Sequence, residues 1–147
     1  MYLDQSDYTR RLIERFAMTD CKPCNTPIES KPSAEETNQE NYITGSKSYK
    51  ELIGCLMLYL MLGTRPDISI SVNYYSRFQE NYTEAHWRQL KRILRYLKGT
   101  IDISIYFSKK MKPGVTAYAD SDWAGNADRK STTGFLIEVH MEYRCAG

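Results

Sequence analysis

Two aspartates two residues apart, Asp120 and Asp122, are the residues best suited to chemistry in this 147-residue chain. They lie in the string Y-A-D-S-D-W-A-G-N, residues 118–126. Successive side chains on a strand alternate, so both carboxylates can face one side of a sheet. Clustered carboxylates hold the divalent ions that assist phosphodiester hydrolysis. The string therefore predicts either part of a metal site or an acidic turn with no chemical role.

Cys21 and Cys24 have the C-x-x-C spacing of zinc and thiol-redox sites. A zinc site needs two further ligands at suitable spacing. The other candidates are isolated in sequence: Cys55, Cys145, His86 and His140. A redox pair opens a helix after a strand, whereas this pair follows a predicted helix and precedes a proline-rich stretch. Both cysteines are therefore predicted to be ordinary loop thiols.

Positive charge is concentrated in the middle of the chain. Residues 47–112 hold 12 basic and 5 acidic side chains, net +7, whereas the whole chain carries +2. Five of the cations recur along one stripe of a predicted helix at residues 84–98: Arg88, Lys91, Arg92, Arg95 and Lys98. The stripe predicts either a surface that contacts nucleic-acid phosphates or a solvated outer face. The lack of acidic partners along it slightly favours a polyanion, because like charges on neighbouring turns repel.

Hydrophobic periodicity predicts the helices that position these groups. Apolar side chains recur at helical spacing over residues 6–18, 49–62, 66–78 and 84–98. Residues 20–46 hold three prolines and few large apolar side chains, which indicates an irregular linker. Two of the helices begin at residues able to cap a first turn: Ser6 and Thr83.

The pattern changes to alternation after Gly99. Apolar and polar residues alternate in a way that predicts antiparallel strands at 101–107, 115–121 and 133–139. The predicted fold class is α+β, with N-terminal helices followed by a short antiparallel sheet. The longest apolar run, 11 residues at 52–62, is too short for a bilayer span of roughly 20, so we expect an intracellular chain without membrane contact.

Five strings, in their order and spacing, resemble the Pol polyprotein of copia-type (LTR) retrotransposons. They are Y-T-R-R-L-I-E-R-F-A-M-T-D-C-K-P (8–23), Y-K-E-L-I-G-C-L-M (49–57), L-G-T-R-P-D-I (62–68), T-E-A-H-W-R-Q-L-K-R-I-L-R-Y-L-K-G-T (83–100) and Y-A-D-S-D-W-A-G-N-A-D-R-K-S-T-T-G-F (118–135). The resemblance covers about residues 2–139.

The resemblance implies a region between the reverse transcriptase palm and ribonuclease H. Residues 1–19 then correspond to the end of the reverse-transcriptase module and 20–46 to an irregular linker. Residues 47–112 correspond to a helical, thumb- or connection-like part with one strand. Residues 113–139 correspond to the truncated opening of a ribonuclease H-like fold, and 140–147 form an atypical tail.

The same resemblance assigns candidate site residues. Asp120 stands where the family's first metal-binding aspartate stands, and Asp122 is a second candidate ligand. The string Glu142-Tyr143-Arg144, in the tail, resembles the start of the helix that bears the site glutamate, which makes Glu142 a third candidate. The family cuts the RNA of RNA–DNA hybrids with Mg²⁺ in a two-metal mechanism. No Y-x-D-D string occurs, so the polymerase site is missing, and we expect no complete active site and no tightly bound Mg²⁺.

Three functions stay open at this stage. The first is a fragment of an RNA-directed DNA polymerase/ribonuclease H polyprotein whose partner is the rest of Pol, in a cytoplasmic particle or the nucleus. The second is a non-catalytic module that binds RNA–DNA hybrid or other nucleic acid weakly through residues 84–98. The third is an active metal-dependent ribonuclease H, which needs more carboxylates than one short strand offers.

One departure from the family pattern lies in the predicted helix at 49–62. Ten residues separate Gly54 from Arg65, one more than in the family, and Leu58 looks like the insertion. An extra residue turns the rest of an α-helix by about 100°. We therefore expect a loss of packing register after Leu58.

Overall fold

The structure, a computed structural model, describes residues 1–29, 42–44, 47–107, 114–121 and 133–140. The chain divides into two compact units. Residues 3–105 form one, and residues 1–2 with 106–147 form the other. Among the described residues, no helix is long and apolar enough to cross a membrane.

Helices dominate the unit formed by residues 3–105. After the short strand β1 (Tyr2–Leu3), which lies at the unit boundary, come α1 (Ser6–Arg15), β2 (Ile43–Thr44) and α2 (Lys47–Cys55). The chain continues with a π-helix (Leu56–Met61), a 3₁₀ turn (Pro66–Ile68), α3 (Ser69–Ser76), β3 (Asn81–Tyr82), α4 (Glu84–Gly99) and β4 (Ile105–Tyr106). β2 lies inside the predicted linker and pairs antiparallel with β3. Each strand is only two residues long, which is too short for an alternating pattern to predict it.

One hydrophobic core joins these helices. Its largest fully buried side chains come from α2, the π-helix, α3 and α4, including Tyr49, Leu56, Tyr75 and Leu90. The Tyr49 ring stacks on Tyr82 at 4.4 Å, and its hydroxyl donates to the Tyr75 carbonyl at 2.9 Å. The apolar stripe predicted for α4 is thus confirmed as the side that faces the core.

The start of α1 differs from the prediction. Ser6 is the first helical residue, and its side chain does not cap the helix. Instead the Asp4 carboxylate accepts hydrogen bonds from the Ser6 amide at 3.0 Å and the Ser6 hydroxyl at 2.7 Å. A carboxylate near the first free amides is favoured by the helix dipole, so Asp4 performs the stabilising role that was predicted for Ser6.

The predicted helix at 49–62 changes geometry at the suspected insertion. The α-helical part ends at Cys55, and a π-helix follows in which the Leu62 amide donates to the Met57 carbonyl, five residues back, at 3.4 Å. A π turn closes over five residues instead of four, so it accommodates a surplus residue. Leu58 is 64% exposed, whereas Leu60 and Ile68 are fully buried. The expected loss of register was therefore wrong, because the π turn returns the following residues to the core.

Deletion of Leu58 is expected to leave the fold intact. The shortened segment can form regular α-helix, so we expect a change of about 1 kcal/mol or less in the free energy of unfolding. Deletion of Lys91 from the regular helix α4 is the matched control. It would rotate the last turns and force cations toward the core, at a cost of about 3 kcal/mol or more. Urea unfolding measures both, and equal losses would contradict this interpretation of the π-helix.

The predicted strand at 101–107 is much shorter than expected. Only Ile105–Tyr106 is extended, because a turn continues from the end of α4 and the Ile103 amide donates to the Thr100 carbonyl at 3.2 Å. Alternation of isoleucines from Ile101 suggested a longer strand. The turn hydrogen bond takes precedence over that local pattern.

The second unit contains a hairpin of β5 (Gly114–Ser121) and β6 (Thr133–His140), close to the predicted strands. The two strands pair antiparallel, with Asp120 opposite Gly134 and Ala117 opposite Ile137. Opposed residues share a face, so one side is mostly apolar and Asp120 lies on the other. The side chains described on both faces are exposed, and a lone two-stranded hairpin is marginally stable in water.

Candidate nucleic-acid interface and carboxylate site

The basic stripe of α4 is largely engaged by residues 19–29, which we name the strap. Lys98 Nζ donates to the carbonyls of Thr19 at 2.5 Å and Cys21 at 2.8 Å. Arg95 Nε donates to the Lys22 carbonyl at 2.7 Å. Arg92 makes similar contacts. Three of the five predicted nucleic-acid-binding residues therefore donate hydrogen bonds to main-chain carbonyls of the protein itself.

Arg92 makes the most extensive contact with the strap. Its guanidinium donates to the Thr26 carbonyl at 3.1 Å, the Thr26 hydroxyl at 3.0 Å and the Glu29 carboxylate at 2.8 Å. Gln89 Nε2 donates to the other Glu29 oxygen at 3.0 Å. Neither sequence-based interpretation of the stripe, phosphate binding or a solvated face, included this internal use of the cations.

The remaining two cations of the stripe have different surroundings. Lys91 Nζ lies 4.9 Å from the centre of the Trp87 ring, in a cation–π contact. The Arg88 side chain is exposed. The positive surface of α4 consists of these two side chains and the solvent-exposed parts of Arg92, Arg95 and Lys98.

The C-x-x-C cysteines belong to the strap. Both thiols are free and half-buried. Cys24 Sγ donates to the carbonyls of Thr26 at 3.4 Å and Arg92 at 3.5 Å, and the Cys24 amide donates to the Arg95 carbonyl at 3.4 Å. The prediction of loop thiols agrees with this arrangement, since both residues contribute main-chain contacts with α4.

Two of the strings behind the family resemblance meet at the buried side chain of Arg65. Arg65 is 3% exposed and forms a two-pronged pair with Asp67, at 3.0 Å from Nε and 2.8 Å from one terminal nitrogen. The guanidinium also donates to the Thr100 carbonyl at 2.9 Å and the Thr100 hydroxyl at 2.6 Å. The ion pair thereby joins the turn before α3 to the end of α4.

Tyr96 completes this cluster. Its hydroxyl donates to Asp67 at 2.8 Å, and its ring lies 5.5 Å from the Arg65 guanidinium carbon. Burial alone would raise the pKa of Asp67, but hydrogen bonds from Arg65 and Tyr96 hold that pKa below its ordinary value of 3.8. Burial and the bond to Asp67 raise the pKa of Tyr96. The cluster is a structural clamp, and its residues come from two strings that lie about 30 residues apart in the sequence.

A buried histidine fixes the start of α4. The Thr83 amide donates to His86 Nδ1 at 3.0 Å, and the His86 amide donates to the Thr83 hydroxyl at 3.3 Å, which forms a reciprocal capping box. The imidazole stacks on Phe78 with ring centres 4.0 Å apart. Because Nδ1 accepts a hydrogen bond, the neutral ring carries its proton on Nε2. Burial lowers the pKa of His86 from 6.5 to about 4.

The carboxylate site is represented by Asp120 alone. Asp120 is exposed near the end of β5 and pairs across the hairpin with Gly134. Asp122 and Glu142, the other candidates, lie outside the described residues. Within the described part of the chain, no three His, Cys, Asp or Glu side chains are grouped to hold a metal ion. Among the described residues, Asp120 is thus the one candidate ligand, and a single carboxylate supplies only part of the near-octahedral oxygen shell of Mg²⁺.

Comparison with known proteins gives matches over nearly the whole chain. It is 40% identical over 143 residues to the retrovirus-related Pol polyprotein from transposon TNT 1-94 of Nicotiana tabacum. It is 37% identical over 138 residues to the Pol polyprotein from transposon RE2 of Arabidopsis thaliana. Each alignment covers 93% of this chain. This chain is homologous to copia-type Pol polyproteins.

The matched part of Pol is small. The chain spans 11% of the tobacco polyprotein and 9% of the RE2 polyprotein. An uncharacterized mitochondrial protein of Arabidopsis thaliana is 39% identical over 136 residues, which cover 92% of this chain and 55% of that protein. No family model and no solved structure matches the chain. The comparisons show that the chain is similar to one part of retrotransposon Pol polyproteins, and they do not specify which domains of Pol that part contains.

Proposed function

We propose that the chain is the segment of a copia-type Pol polyprotein that runs from the end of reverse transcriptase into the first strands of ribonuclease H. Its role is structural, and it has no complete catalytic centre of its own. The observation that carries the proposal is the collinear match of 143 residues to the tobacco Pol polyprotein. The motif D-S-D-W-A-G supports the ribonuclease H end, because Asp120 lies near the end of β5 and faces away from the apolar side of the hairpin.

The packing of residues 3–105 supports a connecting role. Motifs that lie far apart in sequence meet in the Arg65 cluster, and the strap is held along α4. Such contacts fix the geometry of a segment without performing chemistry. The partner in this proposal is the rest of the Pol polyprotein.

Nucleic-acid binding through α4 is the second candidate function. The observation that favours it is charge. The strap has a net charge of −1, whereas the stripe of α4 carries five cations, three of which bond to the strap. Carbonyl groups satisfy hydrogen bonds but do not neutralise charge, so an excess of positive charge stays on this surface. Weak, sequence-independent binding of RNA, DNA or their hybrid would follow from it.

A chimera tests the first candidate. The 143 matched residues of the tobacco Pol polyprotein would be replaced by this chain, and cDNA synthesis by the purified polyprotein would be measured. We expect activity to survive the exchange and to fall when Arg65→Ala is added. A chimera that stays soluble and folded yet makes no cDNA would argue against a shared structural role.

A further inference from the structure

The strap is attached to α4 by contacts that other acceptors can replace. Its bonds to Arg92, Arg95 and Lys98 use main-chain carbonyls, one hydroxyl and one carboxylate, Glu29. A phosphate oxygen accepts from the same guanidinium and ammonium donors, and its negative charge adds an attraction that a neutral carbonyl acceptor lacks. The donor set of the stripe therefore fits a nucleic-acid backbone at least as well as it fits the strap.

The strap itself is weakly anchored. None of residues 19–29 is fully buried, and only Ile28 packs against the edge of the hydrophobic core. Segments with few buried apolar contacts open at low free energy. The strap also lies close to Gly99, where an added Cβ would be 3.1 Å from Pro23 Cβ and 3.5 Å from the Cys24 carbonyl oxygen. A Cβ at residue 99 would therefore require Pro23 to shift by a few tenths of an ångström, and the larger side chain of leucine would require a larger displacement of the strap.

We infer that the strap occupies the polyanion-binding surface of α4, so that docking of residues 19–29 and binding of a nucleic-acid backbone exclude each other. The inference rests on the second candidate function. Strap release then exposes the donors of Arg92, Arg95 and Lys98 together. The strap acts as a built-in competitor that keeps the affinity low until a polyanion displaces it.

The test uses Gly99→Leu, which displaces the strap without a change in charge. Leucine favours helix over glycine, so the substitution also preserves α4. Gly54→Leu is the matched control, because a Cβ at Gly54 meets nothing within 4 Å. Affinity for a 20-nucleotide single-stranded RNA is measured by fluorescence anisotropy. We expect Gly99→Leu to tighten the dissociation constant about tenfold and Gly54→Leu to leave it unchanged.

Hydrogen exchange gives an independent measurement on the unmodified chain. The Cys24 amide is held by the Arg95 carbonyl, so its protection reports strap docking. We expect saturating RNA to remove that protection. As a second variant, Glu29→Gln should tighten binding more than Glu14→Gln, which removes an equal charge from an exposed position on α1.

The outcomes separate the inference from the function on which it rests. Equal RNA affinity in Gly99→Leu and Gly54→Leu, with Cys24 still protected in the RNA complex, would overturn mutual exclusion and leave nucleic-acid binding in place. Absence of RNA binding by every variant would overturn both. Tighter binding by Gly99→Leu, together with loss of protection at Cys24, would support both.

Discussion

Replacement of Arg65 by alanine is expected to destabilise residues 3–105 by about 2 kcal/mol or more. The substitution removes both prongs of the pair with Asp67 and leaves the Thr100 carbonyl without its guanidinium donor. Arg65 is 3% exposed, so its removal leaves a buried site empty and takes the donor from three acceptors, although the Asp67 side chain is itself 33% exposed. The effect therefore exceeds that of a pair in which both side chains are exposed. Arg65→Lys is expected to recover only part of the loss, because an ammonium cannot reproduce the planar fork.

Arg10→Ala is the matched control for this prediction. Arg10 pairs with Asp7 at 2.8 Å, but its side chain is 52% exposed and that of Asp7 is 87% exposed. Exposed pairs of this kind contribute less than about 1 kcal/mol. Urea midpoints with a common slope give both values. Similar losses of unfolding free energy for Arg65→Ala and Arg10→Ala would show that the Arg65 cluster stabilises the fold no more than an exposed ion pair does.

Acidification from pH 7 to pH 4 is expected to lower the free energy of unfolding by roughly 3 kcal/mol through His86. In the unfolded chain this imidazole binds a proton below about pH 6.5, but burial lowers its folded pKa to about 4. Between these values the unfolded state holds more protons, so stability decreases as pH decreases. Protonation of Nδ1 would also break the bond from the Thr83 amide.

His86→Gln separates this effect from general acid sensitivity. Glutamine at the third helical position can still accept from the amide of the capping residue, but it does not titrate. We expect the variant to lose most of the slope between pH 6.5 and pH 4. Asp67 acts in a different window, because its lowered pKa stabilises the fold above pH 3.8 and that contribution is lost only below it. An unchanged slope in His86→Gln would assign the pH dependence to other groups.

The sequence predicted the helices well where one periodic pattern decided the structure. α4 illustrates this, since Thr83 caps it and its apolar stripe lies in the core as expected. The uses of its polar side chains could not be predicted in the same way. Arg92, Arg95 and Lys98 bond to carbonyls about 70 residues away in sequence. Every residue has a main-chain carbonyl, so residue types do not indicate which carbonyls will accept these bonds.

The clamp and the π-helix show two further limits. Arg65 and Asp67 stand next to each other around a proline, yet nothing local indicates that Thr100 and Tyr96 complete their cluster. The extra residue at Leu58 was recognised from spacing, but the expected consequence was a rotation of the helix. The π-helix accommodates the extra residue without rotating the residues that follow it. Periodicity analysis could not predict this, because it assumes a single helix type throughout.

We propose that the chain has a structural role and does not catalyse hydrolysis by itself. The direct test incubates the purified chain with a labelled RNA–DNA hybrid and Mg²⁺ or Mn²⁺, beside Asp120→Asn. We predict no cleavage of the RNA above the level of the variant, because Asp120 is exposed and supplies one carboxylate where a two-metal site needs several. Metal-dependent cleavage that Asp120→Asn abolishes would contradict the claim and identify the chain as a nuclease.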